Sequence, residues 1–423
     1  MEKYPACKDS GIKWIGEIPV NWEDMKLKHF CTCNDSSLTE KEDENLQIEY
    51  VEIGDVDLVN GINNTQFYKF AETPSRARRI THKDDVIIST VRTYLKAIAH
   101  VDRDGLIVST GFAVLRPKNI NSKFMSFALT ESHFIDSIIS MSLGVNYPAI
   151  TPTKLLSIKL PIPPLPEQQS IVTFLEKETA NIDAYIKQRE QEINTLNELK
   201  QAEIAEVVTK GINPDAPMKD SGIPWVGQIP EHWECKRIGS TYVENKNINS
   251  DLGCSDAYKF NYGSLVRKDE DVKLEEVADV YSKYTVISKN DIIINGLNLN
   301  YDFVTQRVAI VEQKGIITSA YVAITPREDV NSEYFSYLFK SMDAKKLFNG
   351  MGTGIRLTLG FGELKKQQIP IPPKDEQDLI VKNIKAKTSK IEEYITALKS
   401  EIAQMQEYKQ RLISDVVTGK MKV

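Results

Sequence analysis

The feature that most constrains this chain is an internal duplication. Residues 8–23 read KDSGIKWIGEIPVNWE and residues 219–234 read KDSGIPWVGQIPEHWE, so eleven of sixteen positions are identical. A second pair of segments, LPIPPLPEQQSIV at 160–172 and IPIPPKDEQDLIV at 369–381, repeats at nearly the same spacing of about 210 positions. Because the chain has 423 residues, this period indicates one structural unit built twice.

Each half is predicted to combine a mixed α/β globule of about 150 residues with one long helix. The runs DDVIIST and NDIIIN are apolar and bounded by turn residues, which predicts buried strands, and KFMSFALTESHFIDSIISM predicts a helix. From about Glu167 and Glu376, after the proline-rich segments, no glycine or proline occurs until Gly211 and Gly419. Each of these two stretches is therefore predicted to be a single helix.

The apolar side chains of both long helices follow a heptad pattern. Spacings of three and four residues give a narrow stripe, which is typical of a coiled coil. The alternative is that each helix packs on the surface of its own globule. The predicted seam consists of Ile182, Ile186, Ile193, Leu196, Ile391, Ile395, Leu398, Ile402, Met405 and Leu412.

Chain connectivity predicts how these parts are arranged. A helix of about 40 residues extends about 60 Å, and the link to the second half is short, so the second helix must run back along the first. The predicted fold class is α+β, with two α/β-mixed globules at opposite ends of a long antiparallel two-helix coiled coil. The pseudo-two-fold repeat is cyclic and brings the C-terminus back to the N-terminus. The predicted segments are globule one at 1–160, the central helix at 161–211, globule two at 212–369 and the C-terminal helix at 370–423.

Composition and motifs argue against several functional classes. No apolar run approaches the roughly 18–20 residues of a membrane helix, and the few cysteines and the polar N-terminus predict a cytoplasmic protein. No phosphate-binding or dinucleotide-binding glycine motif occurs, and CTC at 31–33 lacks the second cysteine pair of a zinc site. Asp291, Glu312 and Lys314 follow the order found in metal-dependent nucleases, but the first half has no matching lysine. We therefore expect strand-end charges there, no catalytic site, and no metal or cofactor in this chain.

Basic and amide side chains flank the corresponding strands of both halves. PSRARRITHK precedes DDVIIST and VRTYLK follows it, while lysines and asparagines flank NDIIIN and an arginine lies in a glycine-rich loop at 350–362. Arginine and lysine contact phosphate and guanine, and asparagine suits adenine, so these residues predict contact with DNA despite the net charge of −6. The alternative is solvated charged edges and polar loops. The predicted DNA-binding residues are Arg76, Arg78, Arg79, Lys83, Arg92, Tyr94, Lys96, Lys283, Asn298, Asn300, Tyr301 and Arg356.

The same segments, in this order, resemble the specificity subunit of type I restriction–modification systems. The resemblance covers nearly the whole chain and rests on PIPPLPEQ and PIPPKDEQ ahead of the helices, GEIPVNW and GQIPEHW at the start of each half, and PSRARR before IISTVRTYL. It implies two target-recognition domains that each read half of an asymmetric, bipartite double-stranded DNA site. The helices would set the spacer and bind methyltransferase subunits.

The resemblance also implies a chain that is not itself a catalyst. Two methyltransferase subunits would carry S-adenosylmethionine and methylate adenine N6, and two restriction subunits would use ATP and Mg²⁺ for translocation and cleavage. Since a segment that is nearly identical in both halves cannot distinguish two half-sites, Trp14, Trp22, Trp225 and Trp233 are predicted to anchor each globule to a helix or to a methyltransferase. The alternative function is a coiled-coil adaptor whose two globules bind proteins rather than DNA.

Overall fold

A computed structural model of the chain divides into two compact units. The first unit is Met1–Arg189 with Lys399–Val423, and the second unit is Glu190–Leu398. Each unit therefore takes a segment of both long helices, whereas the sequence analysis set the helices apart from the globules. The structure describes residues 2–12, 14–144, 147–268, 274–300, 306–327 and 329–423.

The first unit is built from short strands followed by helices. Its strands are β1 Cys7–Asp9, β2 Glu17–Pro19, β3 Glu23–Lys26, β4 Cys31–Cys33, β5 Gln47–Val51, β6 Val56–Asp57, β7 Gly61–Ile62, β8 Gln66–Lys69, β9 Ala77–Ile80, β10 Val86–Ser89, β11 Ile98–His100, β12 Ile107–Ser109, β13 Phe112–Pro117 and β14 Lys159–Ile162. Its helices are α1 Ser122–Leu129, α2 Ser132–Met141, α3 Pro152–Leu156 and the beginning of α4 Leu165–Lys210.

The second unit repeats this order with local differences. Its strands are β15 Met218–Asp220, β16 Gln228–Pro230, β17 Glu234–Arg237, β18 Tyr242–Glu244, β19 Tyr258–Asn261, β20 Ser264–Arg267, β21 Thr285–Ile287, β22 Ile292–Ile294, β23 Val308–Ile310, β24 Gly315–Ile317, β25 Val322–Pro326 and β26 Gln368–Ile371. Its helices are α5 Ile238–Thr241, α6 Leu274–Tyr281, α7 Ser332–Ala344, α8 Leu347–Met351, α9 Phe361–Leu364 and the beginning of α10 Lys374–Val417.

The central sheets of the two units have the same strand order. The first unit has β11-β10-β13-β4 and the second has β23-β22-β25-β18, all antiparallel. The predicted strands in DDVIIST and NDIIIN are β10 and β22, which confirms both. Successive side chains point to opposite faces of a strand. Ile88 and Ile294 therefore pack in the cluster that includes the helices, and Ile87 and Ile293 pack in a cluster on the other face.

The prediction of one helix over KFMSFALTESHFIDSIISM is wrong, because the chain forms α1 and α2 with a break between them. The carboxylate of Glu131 accepts the Phe134 backbone N–H at 2.9 Å and so caps a new helix. A side chain that satisfies a free N–H at a helix start favours initiation at that point. In the second unit, α7 continues through the corresponding place for 13 residues.

The two long helices run antiparallel inside each unit, as predicted. In the first unit Lys409 donates to Asp183 at 2.7 Å, and the Tyr185 hydroxyl donates to Glu401. From Asp183 to Tyr185 the residue number rises along α4, while that of the partner on α10 falls from Lys409 to Glu401. This order is that of an antiparallel pair. In the second unit Lys200 donates to Glu392 at 2.7 Å and Lys387 to Glu203 at 2.8 Å.

The predicted seam lies on the inner side of these pairs. Two lysines at matching heptad positions, Lys200 and Lys409, reach across to a carboxylate. Exposed ion pairs contribute little stability, so their main effect is on register. Five seam side chains are buried and five are half-buried; the buried ones are Ile182, Ile186, Ile395, Leu398 and Leu412, and the half-buried ones are Ile193, Leu196, Ile391, Ile402 and Met405.

The duplicated segment holds the end of one long helix. Trp22 is fully buried beside Gly419, which follows α10, and Trp233 is fully buried beside Gly211, which follows α4. The backbone around Gly419 makes the two hydrogen bonds of a Schellman cap, from Gly419 N to Val416 O at 3.2 Å and from Lys420 N to Asp415 O at 2.8 Å.

The same segment also holds the start of the other long helix. Asn21 donates to Glu167 of α4 at 3.0 Å, and the Trp233 indole N–H donates to Glu376 of α10 at 3.0 Å. The tryptophans Trp22 and Trp233 thus anchor helices, as the sequence predicted. The two ends of the chain lie side by side in the first unit, because Lys422 N donates to Glu2 O at 3.0 Å.

Candidate nucleic-acid interface

Two segments of the first unit meet at the end of strand β10. Residues 90–96 follow the strand, and residues 143–149, of which 145 and 146 lie outside the described residues, run beside them. Arg92 N donates to Pro148 O at 2.8 Å and Ile150 N donates to Thr90 O at 2.9 Å. We call these two segments the first loop pair. Backbone hydrogen bonds between the two segments hold them together.

The first loop pair presents basic and aromatic side chains to solvent. Arg92 has left-handed backbone geometry, with φ of 50°, and its guanidinium carbon lies 4.8 Å from the ring centroid of Tyr147. Such a cation–π contact favours one orientation of the guanidinium. Tyr94 and Lys96 are exposed on the adjoining turn. The loop pair therefore brings together three predicted DNA-binding residues, Arg92, Tyr94 and Lys96.

Tyr147 was missed by the sequence analysis. It is exposed, as is Leu143 at the start of the same hairpin. An aromatic residue in the short stretch between two helices gives no periodic signal. The contact with Arg92 identifies Tyr147 as part of the same surface.

The second unit has a corresponding second loop pair, formed by residues 296–300 and 353–358. Leu359 N donates to Gly296 O at 2.9 Å and Leu299 N donates to Leu357 O at 3.0 Å. Asn298 has φ of 51°, the conformation of Arg92 at the corresponding place. Asn298 and Arg356 are exposed in this loop pair. The predicted residue Tyr301 lies outside the described residues.

Asn300, another predicted DNA-binding residue, makes a contact within the second loop pair. Its side-chain amide donates to the backbone carbonyl of Ile355 at 3.4 Å, so the side chain is directed at the hairpin. It is also only partly exposed. Asn300 thus connects the two segments of the second loop pair.

Arg76 lies next to the first loop pair. Its carbonyl accepts the Thr110 N–H at 2.8 Å, and the next residue of that turn, Gly111, accepts the Thr90 N–H at 2.8 Å. Arg76 is exposed just before β9. Lys283 is likewise exposed just before the corresponding strand β21.

The other predicted basic residues of the first unit do not join this surface as one strip. Arg78 lies 5.3 Å from the Phe70 ring centroid, whereas Arg79 donates to the Ser37 hydroxyl at 3.3 Å. Successive strand residues point to opposite faces, so the run PSRARR is divided between two faces. Lys83 precedes β10, at the opposite end of the strand from Arg92, and its backbone N–H donates to Asp104.

The carboxylate of Asp291 accepts three hydrogen bonds from neighbouring residues of the second unit. Its oxygens accept the Ser288 N–H at 2.9 Å, the Asn245 amide at 2.9 Å and the Thr325 hydroxyl at 2.6 Å. Glu312 and Lys314 are exposed in the turn after β23. Within the parts of the chain that the structure describes, no three His, Cys, Asp or Glu side chains are grouped as metal ligands.

Both CTC cysteines lie in β4, where Cys31 is buried and Cys33 is half-buried. Burial raises the pKa of Cys31 to about 12. Burial also raises the pKa of Cys33 to about 11, although Arg79 acts in the opposite direction. Since the thiolate is the metal-binding and nucleophilic form, both thiols stay protonated at neutral pH.

Comparison with known families matches both halves of the chain. The profile described as "Type I restriction modification DNA specificity domain" matches residues 19–195 and again residues 230–404. The chain belongs to this family. As a type I restriction–modification specificity subunit, it supplies DNA sequence specificity to a multisubunit system. Both loop pairs lie within the matched residues.

Individual relatives agree with this assignment. A protein of Methanocaldococcus jannaschii that is named for the specificity subunit of the type I restriction enzyme MjaX is 26% identical over 97% of this chain and 96% of the relative. The MjaVIII specificity subunit of the same organism is 24% identical over 71% of this chain and 70% of its own length.

A solved structure shows the same fold. It comes from work on complex assembly and conformational transition of the type I R-M system, with a TM-score of 0.69 and 20% identity, covering 96% of this chain and 99% of that one. Among the described helices of this specificity subunit, none has the length and hydrophobicity needed to cross a membrane.

Proposed function

We propose that each unit reads one half of an asymmetric bipartite DNA site and that the two loop pairs make the base contacts. The observation that carries this proposal is that the loop pairs share a backbone design and differ in side chains. Arg92 and Asn298 have the same left-handed conformation at the corresponding place. A part that distinguishes two half-sites has to differ between halves, whereas the nearly identical duplicated segments hold helix ends.

The side chains suit direct readout in the major groove. An arginine forms two hydrogen bonds with guanine O6 and N7, and an asparagine does so with adenine N6 and N7. The first loop pair would therefore favour guanine through Arg92, and the second would favour adenine through Asn298. Arg76, Lys283 and Arg356 would add contacts to phosphate, which position the protein without reading sequence.

Two methyltransferase subunits would bind at equivalent places on the long helices. Leu199 on α4 and Tyr408 on α10 occupy the same position in the internal repeat, and both are exposed. Large apolar side chains exposed on otherwise polar helices suit an interface core. A contact that occurs once in each half supports a stoichiometry of two. The helices would thereby also fix the spacer between the half-sites.

The assembled complex would supply the chemistry. It would act as an adenine-N6 methyltransferase and, with two restriction subunits, as an ATP-dependent site-specific deoxyribonuclease in the cytoplasm. S-adenosylmethionine, ATP and Mg²⁺ would bind the partner subunits, and this chain would be non-catalytic.

The test is to sequence DNA methylation in cells that express the methyltransferase with either the wild-type chain or Arg92→Ala. Loss of one bidentate guanine contact costs about 1–3 kcal/mol, so we expect relaxed specificity at one position of one half-site. The exposed Lys28, on the 3₁₀ turn Leu27–His29, provides the control variant Lys28→Ala, which should leave the site unchanged.

Two results would count against the proposal. An unaltered site in Arg92→Ala would remove the first loop pair from base readout. Binding of the assembled complex to DNA with no dependence on salt would favour a protein adaptor, since phosphate contacts make affinity fall steeply with salt.

A further inference from the structure

We propose that Ile355 is a specificity-determining residue that contacts the methyl group of a thymine, in the base pair whose adenine is read by Asn298. This inference rests on the proposed role of the second loop pair. It adds an apolar contact to the polar one and commits the second unit to an A·T pair.

Ile355 is presented to solvent by a braced loop. Its side chain is 96% exposed, the highest value among the exposed large hydrophobic side chains of the described residues. The hairpin is closed by two backbone hydrogen bonds, from Thr353 N to Thr358 O at 3.1 Å and from Thr358 N to Thr353 O at 2.9 Å. Asn300 holds the Ile355 carbonyl from the neighbouring segment at 3.4 Å. The loop therefore fixes the Ile355 backbone and leaves its side chain outside.

Exposure alone does not make a binding residue, because apolar atoms form much of every protein surface. The decisive feature is the combination of side chains. Leu299 N donates to Leu357 O at 3.0 Å, which places Asn298 alongside the segment that carries Ile355 and Arg356. An amide, an aliphatic group and a guanidinium thus share one small surface.

An A·T pair matches this combination in the major groove. Adenine offers N6 as a donor and N7 as an acceptor, and thymine offers its C5 methyl group on the same pair. Asn298 suits the adenine edge, and the Ile355 side chain suits the methyl group. Arg356, next in sequence, is placed for a phosphate contact. Asn300 is then a positioning residue, because its amide is engaged with the hairpin.

The first loop pair has a different side chain at the place that corresponds to Asn298. Arg92 lies over Tyr147, a pairing of a guanidinium with an aromatic ring. This set favours guanine, and guanine pairs with cytosine, which presents an N4 donor and no methyl group in the major groove. The methyl contact should therefore be confined to the half-site read by the second unit.

The experiment measures affinity of the complex with the methyltransferase subunits for its own DNA site, which methylation sequencing identifies. Thymines of the half-site whose recognition changes in Asn298→Ala are replaced by deoxyuridine, which removes only the methyl groups. We expect the wild-type complex to lose affinity about fourfold, the value for one methyl group removed from an apolar contact. The Ile355→Ala complex should bind both DNAs equally, with the weaker affinity.

Control variants separate this contact from general effects. Val280 is an exposed aliphatic residue on α6 of the same unit, and Val280→Ala should keep the full sensitivity to deoxyuridine. Asn298→Ala should bind more weakly but stay sensitive, because its partner is the adenine. Asn300→Ala should reduce that sensitivity, since it releases the hairpin.

Two results would overturn the inference while leaving the proposed function intact. One is specific binding by the wild type with no loss on deoxyuridine substitution. The other is an equal loss for wild type and Ile355→Ala. Absence of any sequence-specific binding by the wild-type complex would instead overturn the proposed function, and this inference with it.

Discussion

Replacing Gly419 with alanine should destabilise the first unit strongly. Gly419 follows α10 with φ of +76°, a conformation that costs an L-residue about 1–2 kcal/mol. A methyl group on Gly419 would also overlap Pro19 Cδ, lie 2.9 Å from Pro19 Cγ and lie 3.3 Å from the ring of Trp22. Pro19 and Trp22 belong to the duplicated segment, so the substitution tests whether that segment clasps the helix end.

The two costs can be separated with a matched control. Gly105 has a similar φ of +82°, and a methyl group there would meet no atom within 4 Å. The free energy of unfolding of Gly105→Ala should therefore fall only by the backbone cost of about 1–2 kcal/mol. Overpacking of a buried site costs about 1–3 kcal/mol more. The free energy of unfolding of Gly419→Ala should therefore be lower than that of Gly105→Ala by about 1–3 kcal/mol.

Urea unfolding followed by tryptophan fluorescence gives the free energy, and hydrogen exchange at residues 415–422 locates the loss. Gly211→Ala offers an internal comparison in the second unit. There a methyl group would lie 2.9 Å from a carboxylate oxygen of Glu376, at the end of a flexible side chain, and 3.3 Å from the ring of Trp233. We expect Gly211→Ala to lose an amount of unfolding free energy between those of Gly105→Ala and Gly419→Ala. An equal loss of unfolding free energy in Gly419→Ala and Gly105→Ala would refute close packing of the duplicated segment against the end of α10.

Two further predictions concern pH and partner binding. Burial lowers the pKa of His100 below its ordinary value of 6.5, against the opposing effect of Asp84, whose carboxylate lies 3.3 Å away. The neutral imidazole thus contributes stability that is present above pH about 6.5 and is lost as the pH falls, because the unfolded chain takes up the proton first. His100→Gln should lose less unfolding free energy between pH 7.5 and 5.5 than wild type, and an equal loss in both proteins would contradict the assignment. Leu199→Asp and Tyr408→Asp should each remove one methyltransferase subunit in native mass spectrometry; retention of two subunits by both variants would exclude these residues from the interface.

The repeat, the central strands and the antiparallel helices could be predicted because each leaves a periodic or duplicated signal. The heptads placed Ile186 and Leu412 on the inner side, and short apolar runs identified β10 and β22. The break between α1 and α2 left no such signal. It depends on one carboxylate, that of Glu131, which is directed to the backbone N–H of Phe134.

The candidate interface was predicted less completely, since it is formed by segments distant in sequence. Arg92 and Asn298 were found from their residue types beside the right strands. Tyr147 and Ile355 could not be found, because their importance depends on hairpins that fold back about 55 residues further along the chain. The division of PSRARR between two strand faces was also hidden, because a basic run appears continuous until the strand alternation is known.

The left-handed backbone at the two reading positions is itself an argument for function. Asparagine adopts that conformation several-fold more readily than most residues, so Asn298 needs no special explanation. Arginine has no such preference, and Arg92 in this geometry costs the first unit about 1 kcal/mol or more. The contact with Tyr147 offsets about 0.5–1 kcal/mol of that cost, which leaves no net gain in stability. A strained residue held in place by a neighbour, on a surface where the other half of the repeat has a different residue, is better explained by what it binds than by what it stabilises.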